Sequence, residues 1–501
     1  MGIIKKAFLN SFANFFDLFI RQLMTFIINP FIIGNLGADI YGIWKMIGQT
    51  TNYSNLADIQ TNQTLMWTIS KEREVLPEDE MRRKFSSGFF VSIAILPVYI
   101  IVGAIITYFI PDIVKVTDEF VFIVRATTSI VILNFILNKI FTLFDSVLKG
   151  MNLGYKRLGL KAGISLINTG LIYIALKQGT GMVGLAISNT ITIALTVITI
   201  LFIIKKNVSW FGITKPSLSD MKEYFTLTVS FFLLSIFKLI VTSSDLIIIG
   251  FFLEPKIVTI YVTTRFMCNF VKSVVNTLIQ GSKPSFSGYI GQKKFDTAAK
   301  IREQIFDLMW IISLSMALAI LIVNKSFVGI WVSSDLFAGD LDNILIVLSF
   351  IFSIFLYNDE GYIKSSLNLK SLKRWIAYTS GISLLTSIIL IQFYGLAGFL
   401  IGQILGHLIL LYAYPKILIS IFGKLFRLGI SKYLRVIISL VLVVVITILL
   451  PPISLDSYIE IILAVSACFT LSGLLVFLIF LKKQERANII QLVTKLKKQF
   501  L

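Results

Sequence analysis

Residues 163–166 read Gly-Ile-Ser-Leu, and residues 381–384, 218 positions on, read Gly-Ile-Ser-Leu again. The repeat extends in both directions. Gly181 and Gly184 fall on Gly395 and Gly398 at an offset of 214. Phe15-Phe16, Leu18, Ile20 and Ile32-Ile33-Gly34 fall on Phe231-Phe232, Leu234, Ile236 and Ile248-Ile249-Gly250 at an offset of 216. Phe, Ile and Leu recur by chance in apolar sequence, so one such match means little. Three matches in order, at nearly constant offset, imply a duplicated chain.

The duplicated unit is a set of membrane helices. The 501 residues are 56% hydrophobic and include 42 Phe, with a mean hydropathy of +0.86. Soluble domains are less apolar. A helix crosses the bilayer in about 20 residues. Apolar runs predict fourteen helices near 7–33, 40–67, 86–110, 119–147, 158–176, 181–204, 222–252, 257–281, 303–324, 342–366, 374–393, 396–421, 433–450 and 458–481. The expected fold is an all-α integral membrane protein of about 14 transmembrane helices: two parallel six-helix halves, 1–206 and 207–424, then helices 13 and 14 within 425–481, then a tail at 482–501. Six is even, so both halves enter the membrane the same way round. Parallel repeats about an axis along the membrane normal are one plan of secondary transporters, with substrate held between the halves.

The net charge of +19 is distributed unevenly. Short connections on one side carry Lys71, Arg73, Arg82, Arg83, Lys84, Lys149, Lys156, Arg157, Lys293, Lys294, Lys300 and Arg302, while those on the other carry only Lys115, Lys177, Lys256 and Lys325. This positive-inside bias places both termini in the cytoplasm. It also argues against nucleic acid as the partner, because no basic domain exists. In the tail, Ile489, Leu492, Val493, Leu496 and Phe500 share one helical face, with Lys495, Lys497 and Lys498 off it, the pattern of a helix lying on an anionic membrane surface. The stretch Ser282–Arg302 reads as a cytoplasmic connection.

Enzymatic signatures are absent. Cys268 and Cys468 fall in separate spans with no CxxC spacing, and His407 is the single histidine. The chain has no nucleophile elbow, P-loop or zinc-spaced cluster, so no metal site is expected. A membrane polymerase or acyltransferase would usually bring a large outer loop or an intramembrane His/Asp pair, and neither is present. Gly398, Gly402 and Gly406 form a GxxxGxxxG face suited to close helix packing.

Local wording then points to a family. The stretch Pro30-Phe31-Ile32-Ile33-Gly34-Asn35-Leu36-Gly37-Ala38-Asp39-Ile40-Tyr41-Gly42-Ile43-Trp44, followed by Tyr53-Ser54-Asn55-Leu56-Ala57-Asp58, resembles the bacterial polysaccharide-biosynthesis flippases of the multidrug/oligosaccharidyl-lipid/polysaccharide exporter superfamily. Those flippases show a proline, a Leu-Gly step, Tyr-Gly-hydrophobic-Trp and then Tyr-x-x-Leu-Asp. The chain departs from them at Ile59, where they carry glycine. The resemblance implies a non-enzymatic flippase in a bacterial cytoplasmic membrane, acting as a monomer and associated with polysaccharide polymerisation machinery. Its cargo would be an undecaprenyl-pyrophosphate-linked oligosaccharide, such as an O-antigen repeat unit, moved to the outer leaflet by alternating access. Proton or sodium antiport is compatible with it, as is drive by membrane potential alone, since moving one negative charge outward gains about 2.3 kcal/mol per 100 mV. The alternative on the same scaffold is a cation-coupled multidrug exporter, which calls for an anionic cavity.

Seven basic residues lie within the spans: Arg21, Lys45, Arg125, Lys139, Lys238, Arg265 and Lys272. A charge at the bilayer centre costs about 2.5–3.5 kcal/mol on the mildest scale, so such residues tend to face a protein interior or a water-filled cavity. Arg21 follows Asp17 by four residues, and a local ion pair and substrate contact are both open to it. Lys45 and Arg125 are within reach of an interface. Arg265 and Lys272 share a face of one helix. The candidate cationic cavity is Arg21, Lys45, Lys238, Arg265 and Lys272. Asp58 and Asp245 are candidate coupling carboxylates, or else neutralise a neighbouring cation. Asp145–Lys149 and Glu360–Lys364 have the i,i+4 spacing of local ion pairs.

Overall fold

The computed structural model describes the chain except residues 1–2, 52–60, 73–75, 152, 158, 223, 227–243, 367–369, 451–452 and 491–501. Lys238, Asp58, Leu492, Val493, Leu496 and Phe500 lie outside the described residues. The chain divides into two compact units, Met1–Thr259 and Ile260–Leu501.

The first unit contains α1 (Ile3–Leu36), α2 (Ala38–Thr51), α3 (Thr61–Glu72), α4 (Glu78–Val114), α5 (Asp118–Gly150), α6 (Leu160–Lys177), α7 (Gly181–Asn207) and α8 (Asp245–Phe252), and α9 (Pro255–Thr264) runs from it into the second unit. The second unit continues with α10 (Phe266–Gly291), α11 (Phe295–Trp331), α12 (Asp340–Ser365), α13 (Lys370–Phe422), α14 (Ile430–Leu449) and α15 (Tyr458–Leu475). Residues 483–490 form a further helical stretch, whose Glu485 and Ile489, four apart, are buried. Ten helices among the described residues are long and apolar enough to cross a membrane. The protein is therefore an all-α, multi-pass membrane protein.

Several boundaries depart from the hydropathy reading. Within the helix expected over 40–67, the described residues form α2 up to Thr51 and α3 from Thr61. The helix expected over 257–281 is α9 and α10, parted at Arg265. Ser282–Arg302 is not a loop. Helix α10 runs to Gly291 and α11 starts at Phe295, with Lys293 in left-handed backbone at the turn between them. Hydropathy truncates both helices because it registers lipid-facing side chains, whereas intrahelical hydrogen bonds continue into polar sequence beyond the hydrocarbon.

Glycine explains the closest packing. Gly395 has φ of 55° and ψ of −135°, breaking α13, and the arm after it folds back along the arm before it. A Cβ on Gly398 would lie 2.1 Å from the Leu390 carbonyl oxygen, one on Gly402 would lie 2.4 Å from Ser387 N, and one on Gly406 would lie 2.7 Å from Ser383 Cβ. The paired numbers run in opposite directions, so the arms are antiparallel and correspond to the expected helices at 374–393 and 396–421. Ser387 Oγ donates to the Phe399 carbonyl and Ser383 Oγ to the Gly402 carbonyl across the same seam. The first unit repeats the device: Gly181, aligned with Gly395, has φ of 59° between the packed helices α6 and α7.

The Tyr-Gly step of the flippase-like stretch is also a packing device. A Cβ on Gly42 would lie 1.9 Å from the Pro255 carbonyl oxygen. Tyr41 is fully buried, and Thr259 Oγ1 donates to the Ala38 carbonyl at 2.6 Å. This clamps α2 against α9 within the first unit.

Gly402→Ala is expected to destabilise the protein by about 1–3 kcal/mol, the usual cost of overpacking. Gly381→Ala, whose Cβ would meet nothing within 4 Å, is expected to stabilise by up to about 1 kcal/mol through helix propensity. Thermal unfolding of the purified variants checks both signs.

Candidate functional site: charged side chains within the spans

Charges inside the helices are held in two ways. The first is pairing with a carboxylate. Asp145 of α5 is buried and binds Lys149 Nζ at 2.8 Å and Arg157 Nη1 at 2.7 Å. The i,i+4 spacing predicted the first partner. The second comes from a 3-10 turn at Gly154–Arg157 and carried no sequence signal beyond its basic character. Glu360 and Lys364 pair at 2.5 Å, as their spacing predicted. Asp17 and Arg21 do not pair. Asp17 is buried, its Oδ1 receives no hydrogen bond, and its nearest cationic influences are Lys161 and Arg157. Arg21 points to the exposed face of α1. The expected local pair fails because packing of α1 on α6 turns Asp17 inward and leaves Arg21 outside.

The second way is an aromatic ring four residues back in the chain. Lys45 Nζ stands 4.8 Å from the Tyr41 ring centroid, Lys139 Nζ 4.9 Å from that of Phe135, and the Arg265 guanidinium 4.3 Å from that of Tyr261. All three cations are half-buried. A ring attracts a cation through its quadrupole and is not itself a counter-ion. Arg125 differs: it is exposed and reaches across to α4, lying over the Tyr108 ring and donating to the Tyr108 carbonyl at 3.3 Å. Lys139 lines a small recess in the first unit with Asn62, Ser92, Tyr99, Ile140 and Leu143, where Asn62 Nδ2 donates to Thr142 Oγ1 at 2.6 Å.

Asp245 opens α8 and is buried. Its Oδ1 accepts from Gln49 Nε2 at 2.9 Å and from the Leu246 N–H at 3.0 Å. In these bonds it works as a helix-start anchor that ties α8 to α2. Lys272 lies half-buried on α10, an electrostatic neighbour of His407 on α13. Cys268 is buried and, like Cys468, free. In the second unit the structure brings Arg265 and Lys272 to α9–α10, and in the first it brings Lys45 to α2. Arg21 is at the surface of its unit.

Two buried charge assemblies in the second unit went unread in the sequence. Arg302 of α11, only 1% exposed, forks onto Asp359 of α12 through Nε at 3.1 Å and Nη2 at 2.8 Å, and its Nη1 donates to the Phe426 carbonyl at 2.8 Å. Lys432 of α14 sits among Glu303 and Asp307 of α11 and Glu485, at 2.8, 2.7 and 3.3 Å. The i,i+4 spacing of Glu303 and Asp307 marked one acidic face. Nothing in the sequence tied that face to a lysine 125 residues away.

No family model matches the chain and no curated protein sequence matches it. Its fold does have solved counterparts. The lipid II flippase MurJ in an inward closed conformation superposes with a TM-score of 0.63 at 14% identity, over 94% of this chain and 99% of that one. An inward-facing multidrug resistance MATE family transporter of the MOP superfamily gives 0.57 at 12% identity, over 85% and 96%. A eukaryotic MATE transporter gives 0.57 at 14% identity, over 84% and 96%.

Removing one partner of a buried ion pair costs about 3–5 kcal/mol, whereas replacing both by apolar residues is often neutral. Asp359→Asn is thus expected to lower the unfolding temperature sharply, and Arg302→Met with Asp359→Leu to recover most of the loss. A double-mutant cycle on thermal unfolding measures it. What emerges from chain and geometry together is a helical fold like that of the solved MurJ and MATE structures.

Proposed function

We propose that the protein is a flippase carrying an undecaprenyl-pyrophosphate-linked oligosaccharide, a surface-polysaccharide repeat unit such as that of O-antigen, from the cytoplasmic to the outer leaflet of a bacterial cytoplasmic membrane. The observation that carries this reading is the set of half-buried cations held over aromatic rings: Lys45, Lys139 and Arg265. Such a contact draws a cation to the ring and brings no counter-charge of its own. A pyrophosphate gives up its hydration on entering the membrane, and arginine replaces it by bidentate hydrogen bonds while lysine acts as a point charge. Fold similarity to a lipid II flippase supports a lipid-linked cargo, whose chain stays in the bilayer while the head group crosses. The two six-helix halves, 1–206 and 207–424, would alternate access, with both termini cytoplasmic. Arg21, Lys238 and Lys272 would add to the cationic path. Asp58 and Asp245 are the carboxylates to test for proton or sodium coupling, and membrane potential alone already favours outward movement of an anion.

Deleting the gene is expected to trap lipid-linked repeat units on the cytoplasmic side, and the parent gene to restore export. A charge-assisted hydrogen bond is worth about 1.5–3 kcal/mol, so Lys45→Ala with Lys139→Ala is expected to slow export by about tenfold or more. Arg265→Lys should retain more activity than Arg265→Ala. Full restoration by the alanine variants overturns the role of these cations. Loss of cationic dye efflux in the deletion strain, with no trapped lipid intermediate, replaces this reading with a multidrug exporter.

A further inference from the structure

Lys432 has three ammonium donors and three carboxylates, Glu303, Asp307 and Glu485, within ion-pair distance. The cluster is not balanced. Arg435 belongs to Glu485: its Nη1 and Nη2 donate to the two Glu485 oxygens at 2.7 and 2.8 Å, and Nη1 also reaches the Phe480 carbonyl. The Lys482 N–H donates to the same carboxylate at 2.7 Å. Burial pushes the Glu485 carboxyl up, but these hydrogen bonds and the two cations outweigh it and hold it down at about 2. Glu485, held by the Arg435 fork and the Lys482 N–H, is the carboxylate that balances Arg435. That leaves the Lys432 ammonium against two carboxylates on one face of α11.

Those two carboxylates are unequal. Glu303 is 41% exposed along its side chain, whereas Asp307 is fully buried. Lys432 Nζ sits 2.7 Å from Asp307 Oδ1, and Asp307 Oδ2, also buried, receives no hydrogen bond. An ionised carboxylate oxygen without a donor, whose charge leaves the site one negative in excess, is costly. Phe306 and Trp310 wall the site, lying 5.8 Å from Lys432 and Arg435 respectively.

Most of the other titratable groups on the packed elements are engaged elsewhere or distant. Arg302 is committed to Asp359 and the Phe426 carbonyl. Tyr433 is an electrostatic neighbour of that pair. The Lys482 and Lys483 side chains are exposed, whereas Arg486, beside Glu485, is half-buried and its Nε makes no hydrogen bond. Glu460 and Cys468 of α15 stand about three or more helical turns before Phe480.

We propose that Asp307 is a proton-binding site: its Oδ2 takes up one proton by way of the Glu303 edge and releases it again by the same route. Uptake makes one O–H bond and converts an excess negative charge into a neutral acid, leaving Lys432 balanced by Glu303 and Arg435 by Glu485. Release restores the third carboxylate to Lys432. The proton therefore sets how many charges of α11 and the 483–490 stretch hold α14. This site is independent of the cargo reading and draws on none of the cations assigned to it.

Infrared difference spectra of the full-length protein in lipid nanodiscs, between mildly acid and mildly alkaline buffer, provide the test. The expected signal is the carbonyl stretch of an un-ionised carboxylic acid, present on the acid side, lost on the alkaline side and missing from Asp307→Asn. Glu303→Gln removes the neighbouring like charge and is expected to move the midpoint to lower pH by about tenfold or more in proton concentration. This second variant keeps the test decisive if Asp307→Asn fails to fold. A band that survives in Asp307→Asn, a midpoint unmoved by Glu303→Gln, or the absence of any titrating band in the parent overturns the proposal. So does a band that responds to added sodium at constant pH, which would make the site a metal-cation site.

Discussion

A helix in hydrocarbon gains little by hiding leucine from lipid, because lipid is as apolar as the neighbouring helix. Helices in this protein are joined instead by what lipid cannot offer: very close backbone approach and polar partners. The α13 hairpin shows both. Gly398, Gly402 and Gly406 admit the opposing backbone, and Ser383 and Ser387 donate hydrogen bonds across the seam. Gly42 against Pro255 and Asn134 donating to the Ala186 carbonyl at 2.9 Å do the same in the first unit. The placing of every charged group rests on these contacts, since they decide which face of each helix turns inward.

The treatment of charge follows from the same solvent. Where a cation has only to hold helices together, it meets a carboxylate, as Arg302 meets Asp359 and Arg157 meets Asp145. Lys45, Lys139 and Arg265 lie over rings four residues back in the chain. The i,i−4 spacing makes each contact local, so it survives movement of one helix relative to another. A carboxylate pair between helices would have to break in such a movement. The distinction separates the second-unit assemblies around Arg302 and Lys432, whose counter-charges come from other helices, from cations that lie over a ring close by in the chain.

Much of this was legible before the structure. The i,i+4 spacing of Asp145 with Lys149 and of Glu360 with Lys364 places the partners one turn apart on any helix, and both pairs form. The glycine stripe of α13 also packs as its spacing predicts. The same rule failed for Asp17 and Arg21, because spacing brings two side chains within reach but tertiary packing decides which is buried. The loop expected at Ser282–Arg302 failed for a related reason: polarity marks the edge of the hydrocarbon and does not end a helix.

The sequence by itself determined the membrane, the all-α class, the small-residue seams and the basic residues inside spans, since these depend on composition and on periods of a few residues. The tertiary structure alone decided which charges meet across long separations. Lys432 is more than a hundred residues from Glu303 and Asp307 and more than fifty from Glu485. No local period encodes that meeting. It arises when α14 and the 483–490 stretch come to lie on α11, and only then does Asp307 become a buried carboxylate with one oxygen left over.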